Sequence, residues 1–147
     1  MIKMRKLILI ASLLVSVLLN AQVILRITSV PANTPVDASI YLVGSVNSWD
    51  ATSTQYLAQP DGFGARTVTI PQGTGSVEFK FTRGGSWSTV EGNASGNFLP
   101  NRSFTFTGNQ QTFNVTIQSW EDISGSGTSS TAAANVQVLN TAFLMPQ

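Results

Sequence analysis

The sequence predicts an all-β fold, an antiparallel, immunoglobulin-like β-sandwich of about seven or eight strands. Two observations indicate this class. Val77, Phe79 and Phe81 alternate with polar residues, as in a strand that has one face on a core. In addition, short segments rich in β-branched and aromatic residues alternate with turn residues from residue 22 to residue 122, and none of them has helical periodicity.

Six segments have the composition of strands. They are Val23–Thr28, Ile40–Val43, Thr67–Ile70, Val77–Thr82, Ser103–Thr107 and Thr112–Ile117. Arg83–Ser86 is a flexible turn, and Gly108-Asn109 predicts a two-residue hairpin between Phe106 and Phe113. Alternation along the strands gives the expected core, which is Val68, Ile70, Val77, Phe79, Phe81, Phe104, Phe106, Phe113, Val115 and Ile117. Trp120, at the end of the last strand, is assigned to the core as well.

The first 21 residues have the layout of a secretory signal peptide. Met1–Lys6 is basic and Leu7–Leu19 is an apolar run, shorter than a comfortable membrane span. Cleavage is expected after Ala21, which predicts a secreted or periplasmic protein with no membrane contact. An uncleaved anchor is the alternative.

Residues 22–122 are predicted to form the single folded module, because 147 residues leave room for one compact domain and appendages. Residues 123–135 consist largely of Ser, Gly, Thr and Ala, the composition of a flexible linker. Residues 136–147 resume an apolar, strand-like pattern. They are interpreted as the start of a following domain or as a loose tail.

The composition excludes several functional classes. The chain contains no cysteine and no histidine, so it has no thiol nucleophile, no Ser-His pair and none of the commonest metal ligands. We therefore expect no cofactor, no metal site and no catalytic residues. Beyond residue 21, five basic residues stand against seven acidic ones, and no basic patch suggests nucleic acid.

Two tryptophans stand out in this chain. Trp49 follows a Gly-Ser-Val-Asn-Ser loop, where an exposed aromatic is more readily explained by binding than by packing. Trp87 follows the Arg83–Ser86 turn, close in sequence to Lys80, so that an ammonium and an indole can meet on one exposed edge. Taken alone, Lys80 would be a solvated cation pairing weakly with Glu78 or Glu91.

Several short motifs follow one another along the chain. They are Ile40–Ser45, Trp49-Asp50, Phe79–Phe81, Val90-Glu91, Pro100–Arg102 and Trp120. In this order they resemble the starch-binding carbohydrate-binding modules of family 20. They are also similar to the relatives in family 48, which include the glycogen-binding domain of the AMP-activated kinase β-subunit. The resemblance covers nearly all of residues 22–122.

The resemblance implies a site for α-glucans or maltooligosaccharides. In these families two tryptophans form a platform for adjacent glucose rings, and a lysine and an asparagine bond sugar hydroxyls. Trp49, Lys80 and Asn101 match by motif, and Trp87 matches the glycogen-binding relatives as the second platform residue. The family-20 tryptophan that follows Val-Glu falls here on Gly92. The tyrosine of the second sugar site falls on Val36.

Alternative functions belong to other classes. An esterase-type α/β hydrolase whose catalytic domain lies beyond Gln147 would resemble this layout, with residues 136–145 as its opening strand. A carboxylate pair for glycoside hydrolysis could in principle come from Glu78, Glu91, Asp61 and Asp50, but no motif selects a pair of acids. A β-sandwich that binds protein through an edge strand is the third possibility. In each case the module is expected to be a monomer.

Overall fold

The computed structural model describes residues 21–123 and 128–130 and shows two facing β-sheets, which confirms the all-β sandwich. In the described part of the chain there are ten strands and two short 3-10 turns, Ser45–Asn47 and Thr54–Tyr56. The strands are β1 Val23–Pro31, β2 Ile40–Gly44, β3 Gln59–Pro60, β4 Arg66–Ile70, β5 Ser76–Arg83, β6 Ser86–Gly92, β7 Arg102–Thr105, β8 Gln111–Thr116, β9 Ser119–Trp120 and β10 Thr128–Ser130. Over these residues, no helix has the length and apolar character needed to cross a membrane.

The first sheet is built on β1. This strand pairs antiparallel with β4 and parallel with β8, while β3 extends the sheet beyond β4. The β1–β8 ladder is the one parallel pair among the described strands, so the sandwich is mixed at this point. The three residues of β10 pair with Ser29–Pro31, at the end of β1.

The second sheet is built on β5, which has β2 along one edge. Two strands share its other edge: β7 pairs with Ser76–Phe79, and β6 pairs with Thr82 and Arg83. β9 then pairs with the end of β6. β5 pairs directly with β2, β6 and β7, so its register determines where the loops next to these strands lie.

The core fills the space between the two sheets. Its largest fully buried side chains include Trp120, Phe81, Leu25, Ile40, Leu42, Ile70 and Ile117. Val77 and Phe79 are buried beside Phe81, as the alternation predicts. Trp120 is also confirmed as a core residue, and its indole Nε1 donates a 2.8 Å hydrogen bond to Thr34 Oγ1, which satisfies its buried polar atom.

The predicted hairpin at Gly108-Asn109 is wrong. The chain does turn there, with Gly108 at φ 79°, but β7 joins the second sheet and β8 joins the first. Phe104 and Phe113 therefore stack across the sandwich, with ring centroids 5.9 Å apart. Turn residues indicate that the chain changes direction. They do not determine which of the two sheets the next strand joins. Phe113 also stays partly exposed, because β8 lies at the edge of its sheet.

The outward face of β5 is more enclosed than the alternation predicts. Lys80 and Thr82 were expected to face solvent, yet Lys80 is only 4% exposed and Thr82 is fully buried. The phenyl ring of Phe98 covers the Lys80 ammonium, with Nζ 4.4 Å from the ring centroid. Alternation of side chains along a strand shows which residues share a face of the sheet. It does not show whether a loop covers that face.

Most of the appendages lie outside the described residues. The predicted signal peptide, except for its last residue, falls there, as do residues 136–147. Of the segment predicted as a linker, residues 123 and 128–130 are described, and the latter three form β10. Main-chain pairing does not require large side chains, so a small-residue segment can add to the edge of a sheet.

A buried ion pair joins β6 to β7 at the place where both adjoin β5. Glu91 is fully buried, and Arg102 Nη2 lies 2.7 Å from its Oε2 while Arg102 Nε also donates to the carboxylate. Glu91 Oε1 accepts the backbone N–H of Phe81 at 3.0 Å. Arg102 Nη2 also donates to the Thr116 carbonyl in the other sheet. Arg102 therefore orients the segment that begins β7.

We expect Arg102→Ala to lower the free energy of unfolding by about 3 kcal/mol, because it leaves the buried Glu91 carboxylate without a counter-charge. Arg26→Ala is the matched control. Its pair with Asp61 is more exposed, so its loss should change stability by about 1 kcal/mol or less. Urea denaturation of both variants measures the difference, and equal losses would contradict a special role for the Glu91–Arg102 pair.

Candidate functional site

Two tryptophans meet at the surface beside the β5–β6 turn. The ring centroids of Trp49 and Trp87 are 6.1 Å apart, and their planes are inclined at 36°. Trp87 remains 46% exposed, and Trp49 is half-buried. The two residues lie 38 positions apart in sequence and come from different elements, so the fold itself creates the pair.

The loop that carries Trp49 is held by the side chain of Asn47. The Asn47 amide accepts the Gly44 N–H at 2.9 Å through Oδ1 and donates through Nδ2 to the carbonyls of Leu42 and Asp50. The Trp49 N–H in turn donates to the Gly44 carbonyl at 2.9 Å. One asparagine thus satisfies backbone groups on both sides of the turn.

The backbone of this loop is strained at the tryptophan. Ser48 and Trp49 have φ values of 54° and 63°, in the left-handed region that is unfavourable for a bulky residue. Such conformations cost about 1–3 kcal/mol each and persist where neighbouring contacts enforce them. The Asn47 hydrogen bonds supply those contacts, so the direction of the Trp49 ring is determined by the loop.

Asp50 closes the other end of the loop. Its Oδ1 accepts the backbone N–H of Thr52 at 2.9 Å and the Thr52 hydroxyl at 2.7 Å. These hydrogen bonds, first the backbone one, lower the pKa of Asp50 below its usual range. The bonded carboxylate is therefore fully present above about pH 4 and is lost as the pH falls through the lowered pKa.

The β5–β6 turn places Trp87 against the same loop. Gly84 and Gly85 have φ values of 63° and 70°, as a two-residue turn between twisted strands requires, which confirms the predicted turn. A side chain at Gly85 would lie 3.3 Å from the Ala51 carbonyl and 3.7 Å from the Tyr41 ring. The turn therefore packs directly on the loop that follows Trp49.

The structure places Lys80 and Asn101 beside each other. Asn101 directly precedes β7, and since Arg102 is the partner of Phe79, the register puts Asn101 across from Lys80. Asn101 Nδ2 donates to Glu78 Oε2 at 3.3 Å. The ring that contacts the Lys80 ammonium is Phe98, in place of the indole expected from the sequence.

Gly92 has no room for a side chain. An added Cβ would lie 2.6 Å from Ser119 Oγ and 3.0 Å from the Asn97 carbonyl. A tryptophan could not occupy this position without displacing β9 and the loop after β6. The second indole of the surface pair in this chain is Trp87.

Two residues of this surface had no recognised signal in the sequence. Asn47 precedes Trp49 by two positions, and an asparagine in a loop before an aromatic is the only cue to its role. Phe98 lies in a polar stretch without periodicity, and its position depends on how the loop after β6 folds. The exposed fraction of Phe98 is 68%.

Comparisons with known proteins identify one sequence relative. No protein-family profile matches the chain. Over 96 residues, 64% of this chain, it is 45% identical to an Alpha-amylase of Niallia circulans. The match covers 7% of that protein, so this chain corresponds to a small part of its relative's length.

Two solved structures are similar in fold. A family 15 glucoamylase from Hypocrea jecorina has 17% identity and a TM-score of 0.44, over 69% of this chain and 17% of the other. A gamma-CGTase from alkalophilic Bacillus clarkii has 20% identity and a TM-score of 0.43, over 69% and 16% respectively. Similarities of this size carry no argument about function.

Asn47→Ala should loosen the tryptophan pair without unfolding the sandwich. The variant loses three hydrogen bonds of the loop, and we expect a loss of about 1–3 kcal/mol in stability. The exciton-coupled circular dichroism of the two indoles should weaken markedly. Asn114→Ala, an exposed asparagine on β8, is the control. An unchanged indole signal in Asn47→Ala would show that the loop holds Trp49 without this amide.

Proposed function

We propose that this chain is a non-catalytic module that binds α-1,4-glucans, of the family 20 and family 48 kind. The observation that carries the proposal is the surface pair of half-buried Trp49 and exposed Trp87, whose rings come together from two separate elements. Exposed indoles that a hydrogen-bonded loop holds in place have no packing function in the core. A ligand with apolar faces fits such a surface.

Glucose offers this combination of surfaces. Its ring has an apolar C–H face that can stack on indole, while its hydroxyls require polar partners at the rim. The planes of Trp49 and Trp87 are inclined at 36°, so successive rings that stack on them must also be inclined. This suits the curved chain of amylose and disfavours the flat chain of cellulose, which needs coplanar aromatics.

Lys80 and Asn101 are the proposed hydrogen-bonding residues. Among the ion pairs of residues 21–123, none involves Lys80, so its ammonium has no carboxylate to compete with a ligand hydroxyl. The Asn101 amide lies across from it in the register and is exposed. Both residues lie on the outward face of the second sheet, the sheet that also carries Trp87.

The sequence relative supports a starch-related function. Its name, Alpha-amylase, is that of an enzyme acting on α-glucans, and the matched part is 7% of its length. A segment of that size fits an accessory domain better than a catalytic one. We therefore propose that the module holds a glucan for chemistry performed elsewhere.

The acidic residues support the non-catalytic part of the proposal. Three acidic residues form ion pairs: Glu91 with Arg102, Asp61 with Arg26 and Asp122 with Arg83. Asp50 binds its own loop. Since the sequence also contains no histidine and no cysteine, it offers no general base of the usual type.

The proposal includes export of the chain from the cytoplasm. Residues 1–21 would direct the chain out of the cytoplasm and be removed after Ala21, and the module would act as a monomer on glucan outside the cell. An α/β-hydrolase fragment and an edge-strand protein binder have no observation in their favour among the described residues.

Trp49→Ala and Trp87→Ala should each remove most of the measurable affinity for maltoheptaose. With two stacks and a few hydroxyl bonds, offset by ordering of the oligosaccharide, we expect a dissociation constant of roughly 10 μM to 1 mM for the parent. Cellulose should not be bound. Isothermal titration decides the matter: no binding by the parent, or unchanged affinity in both variants, rejects the proposed site.

Lys80→Ala should have a smaller effect, a loss of roughly 0.5–1.5 kcal/mol in binding free energy, because a single hydrogen bond to the ligand is removed and Phe98 already covers much of the ammonium. Arg66→Ala is the matched control, since Arg66 also lacks a carboxylate partner among the described ion pairs but belongs to the first sheet. Equal losses in the two variants, measured by the same titration, would argue against a direct role for Lys80.

A further inference from the structure

Phe98 is a large apolar side chain left at the surface. It is 68% exposed, and its residue bridges to Gly92 at the end of β6. Phe98 belongs neither to the buried core cluster nor to the partly buried side chains packed against it. Its recorded ring contact is with the ammonium of Lys80, 4.4 Å from the ring centroid.

The loop that carries Phe98 is rigidly hydrogen-bonded. Asn93 Oδ1 accepts the backbone N–H groups of Ser95 and Asn97 at 2.9 and 3.1 Å, and its Nδ2 donates to the Phe98 carbonyl at 3.0 Å. The Asn93 N–H also donates to the Asn97 carbonyl at 2.8 Å. These bonds fix the backbone from which the phenyl ring projects, as the Asn47 bonds fix the backbone beside Trp49.

The position of Phe98 relates it to the tryptophan pair. Trp87 directly follows the partner of Arg83 in the β5–β6 hairpin, while Phe98 lies over Lys80. Three residues of strand separate Arg83 from Lys80, about 10 Å at 3.3 Å per residue. The backbone position that Phe98 covers is therefore displaced along the sheet from the turn that carries Trp87, and Phe98 lies directly over Lys80.

We propose that Phe98 is a third aromatic contact, which lengthens the glucan site beyond the two rings stacked on Trp49 and Trp87. This inference rests on the proposed function. A further glucose ring would lie against the outer face of the phenyl, since Lys80 covers the inner face, while its hydroxyls reach the exposed Asn101. The site then selects for chain length: a disaccharide is held by the tryptophans alone, and a longer oligosaccharide also engages Phe98.

The test compares maltose with maltoheptaose by tryptophan-fluorescence titration of the full chain. Phe98→Ala should weaken maltoheptaose binding by about three- to ten-fold, the contribution of one aromatic stack, and leave maltose binding unchanged. Phe98→Tyr keeps the flat ring and should bind as the parent does. Phe63→Ala, which removes an 88% exposed phenylalanine from the first sheet's side, is the matched control and should have no effect.

Each other outcome overturns the inference. Unchanged maltoheptaose binding in Phe98→Ala, with binding lost in Trp87→Ala, rejects the third contact and leaves the proposed function intact. Equal weakening for both sugars, or an equal effect of Phe63→Ala, shows that the ring acts on the shape of the protein. A parent that binds neither sugar rejects the proposed function as well.

A double variant separates a direct contact from an effect through Lys80. If Phe98 only positions the ammonium, then Phe98→Ala should have no further effect on maltoheptaose binding in a Lys80→Ala background. A direct sugar contact predicts that the three- to ten-fold loss, roughly, is retained there. Absence of the additional loss would reassign Phe98 as a positioning residue.

Discussion

The structure depends on the ion pair between Glu91 and Arg102. β5 has two different partners along one edge, and where β7 ends and β6 has not yet begun, the Phe81 N–H has no strand to bond. The Glu91 carboxylate accepts this N–H, and Arg102 neutralises the buried charge. A charge so deeply buried is unfavourable unless it is paired. This one pair therefore fixes β6, which carries Trp87, against β7, which follows Asn101.

Two asparagines, Asn47 and Asn93, stabilise surface loops with the same kind of hydrogen bonding. In each loop the amide oxygen accepts backbone N–H groups and the amide nitrogen donates to carbonyls, so that a short irregular segment is satisfied by its own side chain. Asn47 does this for Trp49, and Asn93 does it for Phe98. In both loops the backbone that carries an aromatic residue is therefore fixed by the amide of a nearby asparagine.

The sequence predicts local patterns better than the arrangement of loops. All six expected strands are found, because alternation and β-branched composition are local properties. β6 was not among them, since Trp87 is the only apolar residue among its first four and the segment shows no alternation. The placement of β7 and β8 in opposite sheets, the burial of Lys80 and the position of Phe98 all depend on contacts between distant segments. The nearness of Trp49 and Trp87 was expected from the resemblance, and no local rule gives their 36° inclination.

The position of the second tryptophan shows how packing selects among possible binding surfaces. At Gly92 the chain passes within contact distance of Ser119 and the Asn97 carbonyl, which closes β9 and the Asn93 loop onto β6. This tight approach excludes a ring there and allows the loop that presents Phe98. Trp87 lies toward the other end of β6, next to the turn, where Gly84 and Gly85 let the hairpin approach the loop that follows Trp49. Close packing thus excludes a ring at one end of β6, and the glycine turn brings an indole to the Trp49 loop at the other.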